Sequence, residues 1–290
     1  MALFNSDFLN RLEYLSLVSR KVFPGQLMAK RRTNRIGSGI EFADHRQYVP
    51  GDDFRYLDWN LYARYNDLLV KRFHEEEDLH VYLLVDCSRS MDCGLPSKFD
   101  LARQTAAALA YVALSDLDRV SILAFADGVL KSFPLTRGKG RILTLMRFLE
   151  DLRPAAGVTD LQQVTRQFVL RSPARGLVVV LSDFFDPQGF EAGIDVLRYN
   201  QFEPYLVQIH AAEEASPQLL GEVELADSET GALRKVTVTE RQVKMYQDRF
   251  QQFLKRLRAY ATSNGMGCTV AATSTTFIQL VQKMIAASVR

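Results

Sequence analysis

Asp86-Cys87-Ser88-Arg89-Ser90 places a carboxylate and two hydroxyls at positions i, i+2 and i+4, directly after the apolar run Leu83-Leu84-Val85. Alternate residues of an extended segment project to one side, so these oxygens can converge on a hard cation. Two further segments offer matching donors. Gly157-Val158-Thr159-Asp160 brings a hydroxyl in a loop opened by glycine, and the apolar run at 177–181 leads into Ser182-Asp183. The set Asp86, Ser88, Ser90, Thr159 and Asp183 contains oxygen donors only, which favours Mg²⁺, Mn²⁺ or Ca²⁺ over zinc. Mg²⁺ is the first choice because it tolerates few protein ligands and keeps waters. Two carboxylates leave a bound ion electropositive and open at one position, ready for a carboxylate from another protein. Hydrolysis would also need a general base or nucleophile there. Each residue has a plainer alternative: Asp86 or Thr159 as a helix cap, the serines as turn formers, Asp183 as the start of the Asp186-Pro187 turn.

The elements that must position these residues follow from hydrophobic patterning. Short apolar runs predict strands at 81–85, 120–125, 129–133, 177–181, 205–210 and 268–271. Helices are expected between them. Ser97 is a suitable N-cap for a helix over 98–114, with Asp100 three residues on. Ile142, Leu145, Met146 and Leu149 give another helix an i, i+3, i+4, i+7 apolar face, and segments 161–170, 189–199, 243–257 and 277–287 read the same way. Strands alternating with helices predict an α/β fold with a mostly parallel sheet covered on both faces. The short Ala126-Asp127-Gly128 step predicts one antiparallel edge strand. In such sheets ligands bind outside the carboxyl ends of the strands, where Asp86 and Asp183 fall.

The 290 residues suit one large domain with an N-terminal addition. No apolar run approaches the ~20 residues of a membrane span, and no signal-peptide pattern opens the chain; a cytoplasmic location is the default expectation. Cys87, Cys93 and Cys268 lack zinc-ligand spacing and suit a reducing compartment. The net charge of +2 gives little attraction for nucleic acid. Residues 1–35 read as helical with the basic end Lys30-Arg31-Arg32, and 37–77 as loops with one or two strands closing on the acidic Glu75-Glu76-Glu77-Asp78. The expected organisation is an N-terminal helix/strand extension over 1–78, then the α/β domain over 79–290. A β-hairpin insertion at 211–240, turning through Asp227–Gly231, should leave the rim that carries the metal donors.

The five donors resemble the metal-ion-dependent adhesion site of von Willebrand factor A domains. Upstream, Gly39-Ile40-Glu41-Phe42, Arg46-Gln47-Tyr48, Pro50-Gly51-Asp52-Asp53, Arg55, Asp58-Trp59 and Ala63-Arg64 resemble the signature of the domain-of-unknown-function-58 family, DUF58. In that family the signature precedes a von Willebrand A-like, Rossmann-like fold. The resemblance runs from about Gly37 to at least Asp183. It implies a companion of MoxR-type AAA+ ATPases, acting in chaperone-like assembly or activation of a client protein. Some relatives carry N-terminal membrane spans; none is expected here, and only peripheral membrane association stays open. All five metal donors carry over without substitution.

The signature segment mixes Arg46, Asp52, Asp53, Arg55, Asp58 and Arg64 with Tyr48, Phe54, Tyr56, Trp59 and Tyr62. This predicts either an ionic network that pins the extension or a partner-binding surface. Other chemistries fit less well. A haloacid-dehalogenase-like phosphatase would need an aspartate where Ser88 stands, and neither Gly37-Ser38-Gly39 nor Gly138-Lys139-Gly140 forms a phosphate-binding loop. His45, His74, His80 and His210 show no ligand or triad spacing. The expectation is therefore a non-enzymatic, metal-assisted protein-binding module. A metal-dependent hydrolase using the same rim and a scaffold with a vestigial site are the alternatives.

Overall fold

The computed structural model describes residues 3–4, 6–22, 32–37, 41–76, 79–155, 157, 159–172, 174–218, 220–226 and 232–288. In chain order these form helix α1 (Ser6–Val22), strands β1 (Arg32–Gly37) and β2 (Glu41–Gln47), helix α2 (Trp59–Tyr65), and strands β3 (Leu69–Glu76) and β4 (His80–Asp86). Helix α3 (Lys98–Ser115), strands β5 (Arg119–Phe125) and β6 (Val129–Arg137), and helices α4 (Ile142–Glu150) and α5 (Leu161–Arg171) follow. Next come β7 (Leu177–Ser182), α6 (Glu191–Tyr199), β8 (Glu203–His210) and the single turn α7 (Ala212–Ala215). The chain closes with β9 (Gly221–Ala226), β10 (Leu233–Val238), α8 (Glu240–Ser263), β11 (Gly267–Ala272) and α9 (Phe277–Ser288).

Two compact units emerge, one of Met1–Lys21 with His80–Arg290, the other of Val22–Leu79. In the larger unit a six-stranded sheet has the order β11-β8-β7-β4-β5-β6. Every pairing is parallel except β5 with β6, the edge pair joined across Ala126-Asp127-Gly128. The expected Rossmann-like α/β fold with one antiparallel edge strand is thus present. From β4 the chain moves outward to β5 and β6, then returns to the opposite side of β4 for β7, β8 and β11. The carboxyl ends of β4 and β7 therefore flank the topological switch point, where a parallel sheet opens a crevice.

Strand periodicity sends alternate side chains to opposite faces. Tyr82 and Leu84 of β4, Leu123 and Phe125 of β5, and Val178 and Val180 of β7 pack with Leu161, Val164 and Phe168 of α5, Ile194 and Leu197 of α6, and Leu257 and Ala261 of α8. Leu83 and Val85, equally buried, take the other side of the strand. There α3 contacts β4 and β5, and α9 packs on α3 and β11. α1 joins the same unit by packing Phe8 against Phe277, with ring centroids 4.6 Å apart and the rings tilted by 44°. Burial of each such side chain contributes about 1.5–3 kcal/mol, so the strands beneath the site are its most rigid support.

In the smaller unit, β1, β3 and β2 form an antiparallel sheet in that order. Of the segment expected to be helical over 1–35, Ser6–Val22 is a helix but Arg32–Gly37 is a strand; Arg-Thr-Asn-Arg-Ile offers no helical apolar stripe, and β3 pairs with one edge of its backbone. Within this unit Arg46 pairs with Asp52 at 2.7 Å, Arg55 with Asp53 at 2.6 Å and Arg72 with Asp44 at 2.6 Å. Asp58 caps α2 by accepting the Asn60 and Leu61 N–H groups. Burial would raise its carboxyl, but His45, the Leu61 N–H and Lys71 outweigh that and hold it down at about 2. Arg46, Asp52, Asp53, Arg55 and Asp58 of the signature are thus paired locally, while Phe54, Trp59 and Tyr65 stay exposed. Strands β9 and β10 pair as the expected hairpin arms. Lys30, Arg31, Ser38, Gly39, Glu77, Asp78, Val158 and the 227–231 turn lie outside the described residues.

Candidate metal centre

Asp86 ends β4, the strand between β5 and β7, and is completely buried. Its Oδ1 accepts the Ser88 N–H at 2.8 Å, and its Oδ2 accepts the Ser182 hydroxyl at 2.6 Å. The chain then leaves the extended conformation: Ser88 precedes a 3₁₀ turn over Arg89–Asp92, so that turn, rather than strand alternation, brings Ser90 round. Ser88 Oγ and Ser90 Oγ lie 3.0 Å apart, and Ser90 Oγ donates to Asp183 Oδ2 at 2.8 Å. A hydroxyl has one proton, so the hydrogen bond between the two serines takes its proton from Ser88. Asp86, Ser88, Ser90 and Asp183 thus form one connected oxygen cluster at the switch point.

Asp183 follows β7 and accepts the Phe185 N–H on Oδ1 at 3.0 Å. The next residue, Phe184, has φ +59, the left-handed region, which costs a non-glycine residue about 1–3 kcal/mol. The strain is held by the Phe184 N–H donating to Ser182 Oγ at 2.9 Å and by burial of the Phe184 ring. It turns the ring into the core immediately after the carboxylate has been presented at the strand end.

Thr159 is buried, but no hydrogen bond joins it to the other four donors among the described residues. Its loop is nevertheless pinned on both sides of the cluster. Ala155 N–H donates to Cys87 O at 2.6 Å, and Ser88 bridges Ala155 in parallel fashion. Two residues beyond Thr159, the Leu161 N–H donates to Asp186 Oδ2 at 2.8 Å. Asp160 caps α5 by accepting the Gln163 N–H. The cap of this helix is therefore Asp160 rather than Thr159.

Three residues at the cluster were not singled out from sequence as site residues: Ser182, Lys98 and Glu214. Lys98 is completely buried, and its Nζ donates to Asp183 Oδ2 at 2.7 Å and to Glu214 Oε1 at 2.5 Å. Burial opposes its charge, yet Asp183 and Glu214 together raise its pKa above the ordinary lysine value. The sequence does hold a signal for it. Lys98 opens α3, where the helix dipole disfavours a cation, and it shares the buried register of Leu101, Ala102 and Thr105. A lysine there needs an anion inside the fold. Asp86 shows the complementary stress: burial and then the Asp183 charge push its carboxyl up to about 7, against the pull of hydrogen bonds from Ser182 and Ser88.

The donor chemistry fits a small, oxygen-seeking divalent ion. Among the described residues no group of three or more carboxylate, thiol or imidazole side chains could hold a metal. Carboxylates accept about four hydrogen bonds each, so Asp86 and Asp183 keep acceptor capacity beyond their present donors.

Fold and site together define a Rossmann-like α/β protein with an oxygen-rich cluster at its switch point. The family described as "Protein of unknown function DUF58" matches residues 44–259, and the chain belongs to it. Uncharacterized proteins of Mycobacterium tuberculosis (strain ATCC 25618 / H37Rv) and Mycobacterium bovis (strain ATCC BAA-935 / AF2122/97) are each 28% identical over 232 residues, covering 78% of this chain and 73% of theirs. Among solved structures, the conserved hypothetical protein BatB from Bacteroides thetaiotaomicron superposes with a TM-score of 0.47 at 14% identity, over 73% of this chain and 98% of that one. An aerotolerance-related membrane protein from Bacteroides fragilis gives 0.47 at 14%, over 72% and 98%. Among the described residues no helix is long and apolar enough to cross a membrane.

Proposed function

We propose that this protein is a cytoplasmic, non-enzymatic protein-binding module with a von Willebrand A-like domain, working with a MoxR-type AAA+ ATPase in chaperone-like assembly or activation of a client protein. The observation that carries the reading is the connected cluster Asp86–Ser88–Ser90–Asp183 at the carboxyl ends of β4 and β7. Mg²⁺, or Mn²⁺ or Ca²⁺ in its place, is the proposed ion, with Ser88 and Ser90 as hydroxyl ligands, Asp86 and Asp183 as carboxylate partners, and Thr159 brought in by its pinned loop. The ion supplies a position open to a carboxylate oxygen of the partner. Asp183 orients the Ser90 hydroxyl, and Asp86 holds the Ser88 backbone, by accepting hydrogen bonds. The carboxylates near the cluster speak for binding over hydrolysis: Asp183 and Glu214 are both engaged by Lys98, and Glu214 also accepts the Ala211 N–H at 2.8 Å. Without a bound ion, neither is an unengaged base.

The test is quantified binding to a MoxR-type ATPase with Mg²⁺, with chelator, and with Asp86→Ala shown to remain folded. Binding should fall at least about tenfold in both the chelated and the substituted protein, since a buried charge-assisted contact is worth about 1.5–3 kcal/mol. Equal binding in all three samples would remove the metal cluster from ATPase docking.

A further inference from the structure

We infer that Lys98 is a built-in cation that sets the divalent-ion affinity of the strand-end cluster, bridging Asp183 and Glu214 when no ion is present and keeping Glu214 alone when one is. This rests on the metal reading proposed above and concerns how the same site is regulated. The geometry is specific. Lys98 is completely buried at the first turn of α3, and its ammonium lies between two carboxylates that come from different parts of the chain. Asp183 Oδ2 receives both the ammonium and the Ser90 hydroxyl, so the oxygen that holds one proposed hydroxyl ligand is also the one the ammonium occupies.

A buried ammonium must keep an anionic partner, and Glu214 is already in place. The Ala211 N–H fixes Glu214 Oε2 at 2.8 Å, which leaves Oε1 directed at Lys98 Nζ at 2.5 Å. An ion that draws on Asp183 therefore leaves Lys98 with a pre-aimed alternative. Charge matching supports the same conclusion. With all three carboxyls ionised, Asp86, Asp183 and Glu214 would bring three negative charges, and Lys98 would reduce the sum to minus two, the complement of one divalent ion. Glu214 belongs to α7, directly after β8, so ion binding acts on the segment that leads toward the β9–β10 hairpin.

The experiment is calorimetric titration of Mn²⁺ and Mg²⁺ into the full chain, with Lys98→Met and Glu214→Gln as separate variants. Removing a unit charge a few ångströms from the ion should tighten binding on the order of tenfold or more in Lys98→Met. Glu214→Gln strands the ammonium on Asp183 and should weaken binding at least about threefold. Opposite signs support the inference, because a purely structural role would shift both variants the same way or neither. Unchanged or weaker binding in folded Lys98→Met overturns it. Should that variant fail to fold, Glu214→Gln decides, and unchanged or tighter binding there overturns it. A wild-type protein that binds neither ion overturns the metal reading and this inference together; a wild type that binds, with variants that do not diverge, overturns only the role of Lys98.

Discussion

Asp86 shows how one buried carboxyl can be held by a few well-placed donors. It has no solvent, and its charge is opposed by Asp183. The Ser182 hydroxyl at 2.6 Å is the shortest hydrogen bond it accepts, and the same oxygen receives the Phe184 N–H that secures the left-handed turn. Ser182→Ala removes both at once. It should cost about 1–3 kcal/mol of stability, the penalty for stranding buried polar groups, read as a lower urea midpoint with an unchanged slope. A change under about 0.5 kcal/mol would mean that Asp86 finds another donor. Asp86, Ser88 and Ser90 were legible in the sequence because their spacing is local and their oxygen chemistry is uniform. Ser182, Lys98 and Glu214 were not, because the contacts that define them span 96, 85 and 116 residues. No local pattern pairs residues at such distances, although a lysine on a buried helix face announces that some partner exists.

At the level of elements, the strands and helices after residue 79 were readable because each apolar run is short, bounded and in register with one period. The β5–β6 hairpin followed from the three-residue step between the runs. Less legible was the smaller unit, where β1 has no apolar alternation and exists through its pairing with β3. The close approach of α5 and α6 was also invisible in the sequence, since nothing local marks Gly193 as a contact point. A Cβ there would meet the Leu161 carbonyl carbon at 2.8 Å and its oxygen at 2.9 Å. Helix propensity alone favours Gly193→Ala by about 1 kcal/mol. The backbone clash predicts the opposite sign, a loss of about 1–3 kcal/mol from overpacking, measurable by thermal or denaturant unfolding. Stabilisation would show that α6 can move away from α5 at little cost. Because Leu161 opens the helix that follows Thr159, the same substitution tests how firmly that loop is anchored.

For the whole molecule, the topology explains why the candidate centre lies where it does. β4 is the first strand of the sheet in chain order and ends flanked by both of its later neighbours, so its terminal carboxylate is completely buried. The β7 carboxylate follows it at the rim, with Ala155 tied to Cys87 and Leu161 tied to Asp186, and the exposed Trp59, Phe54 and Tyr65 belong to the other compact unit. The most direct test of the account is anomalous diffraction from crystals of the protein soaked in Mn²⁺. The account predicts a single strong peak enclosed by Ser88, Ser90, Asp86 and Asp183, with Lys98 Nζ withdrawn from Asp183 and kept on Glu214. Density without a peak there, or a peak elsewhere with the Lys98–Asp183 ion pair intact, would contradict it.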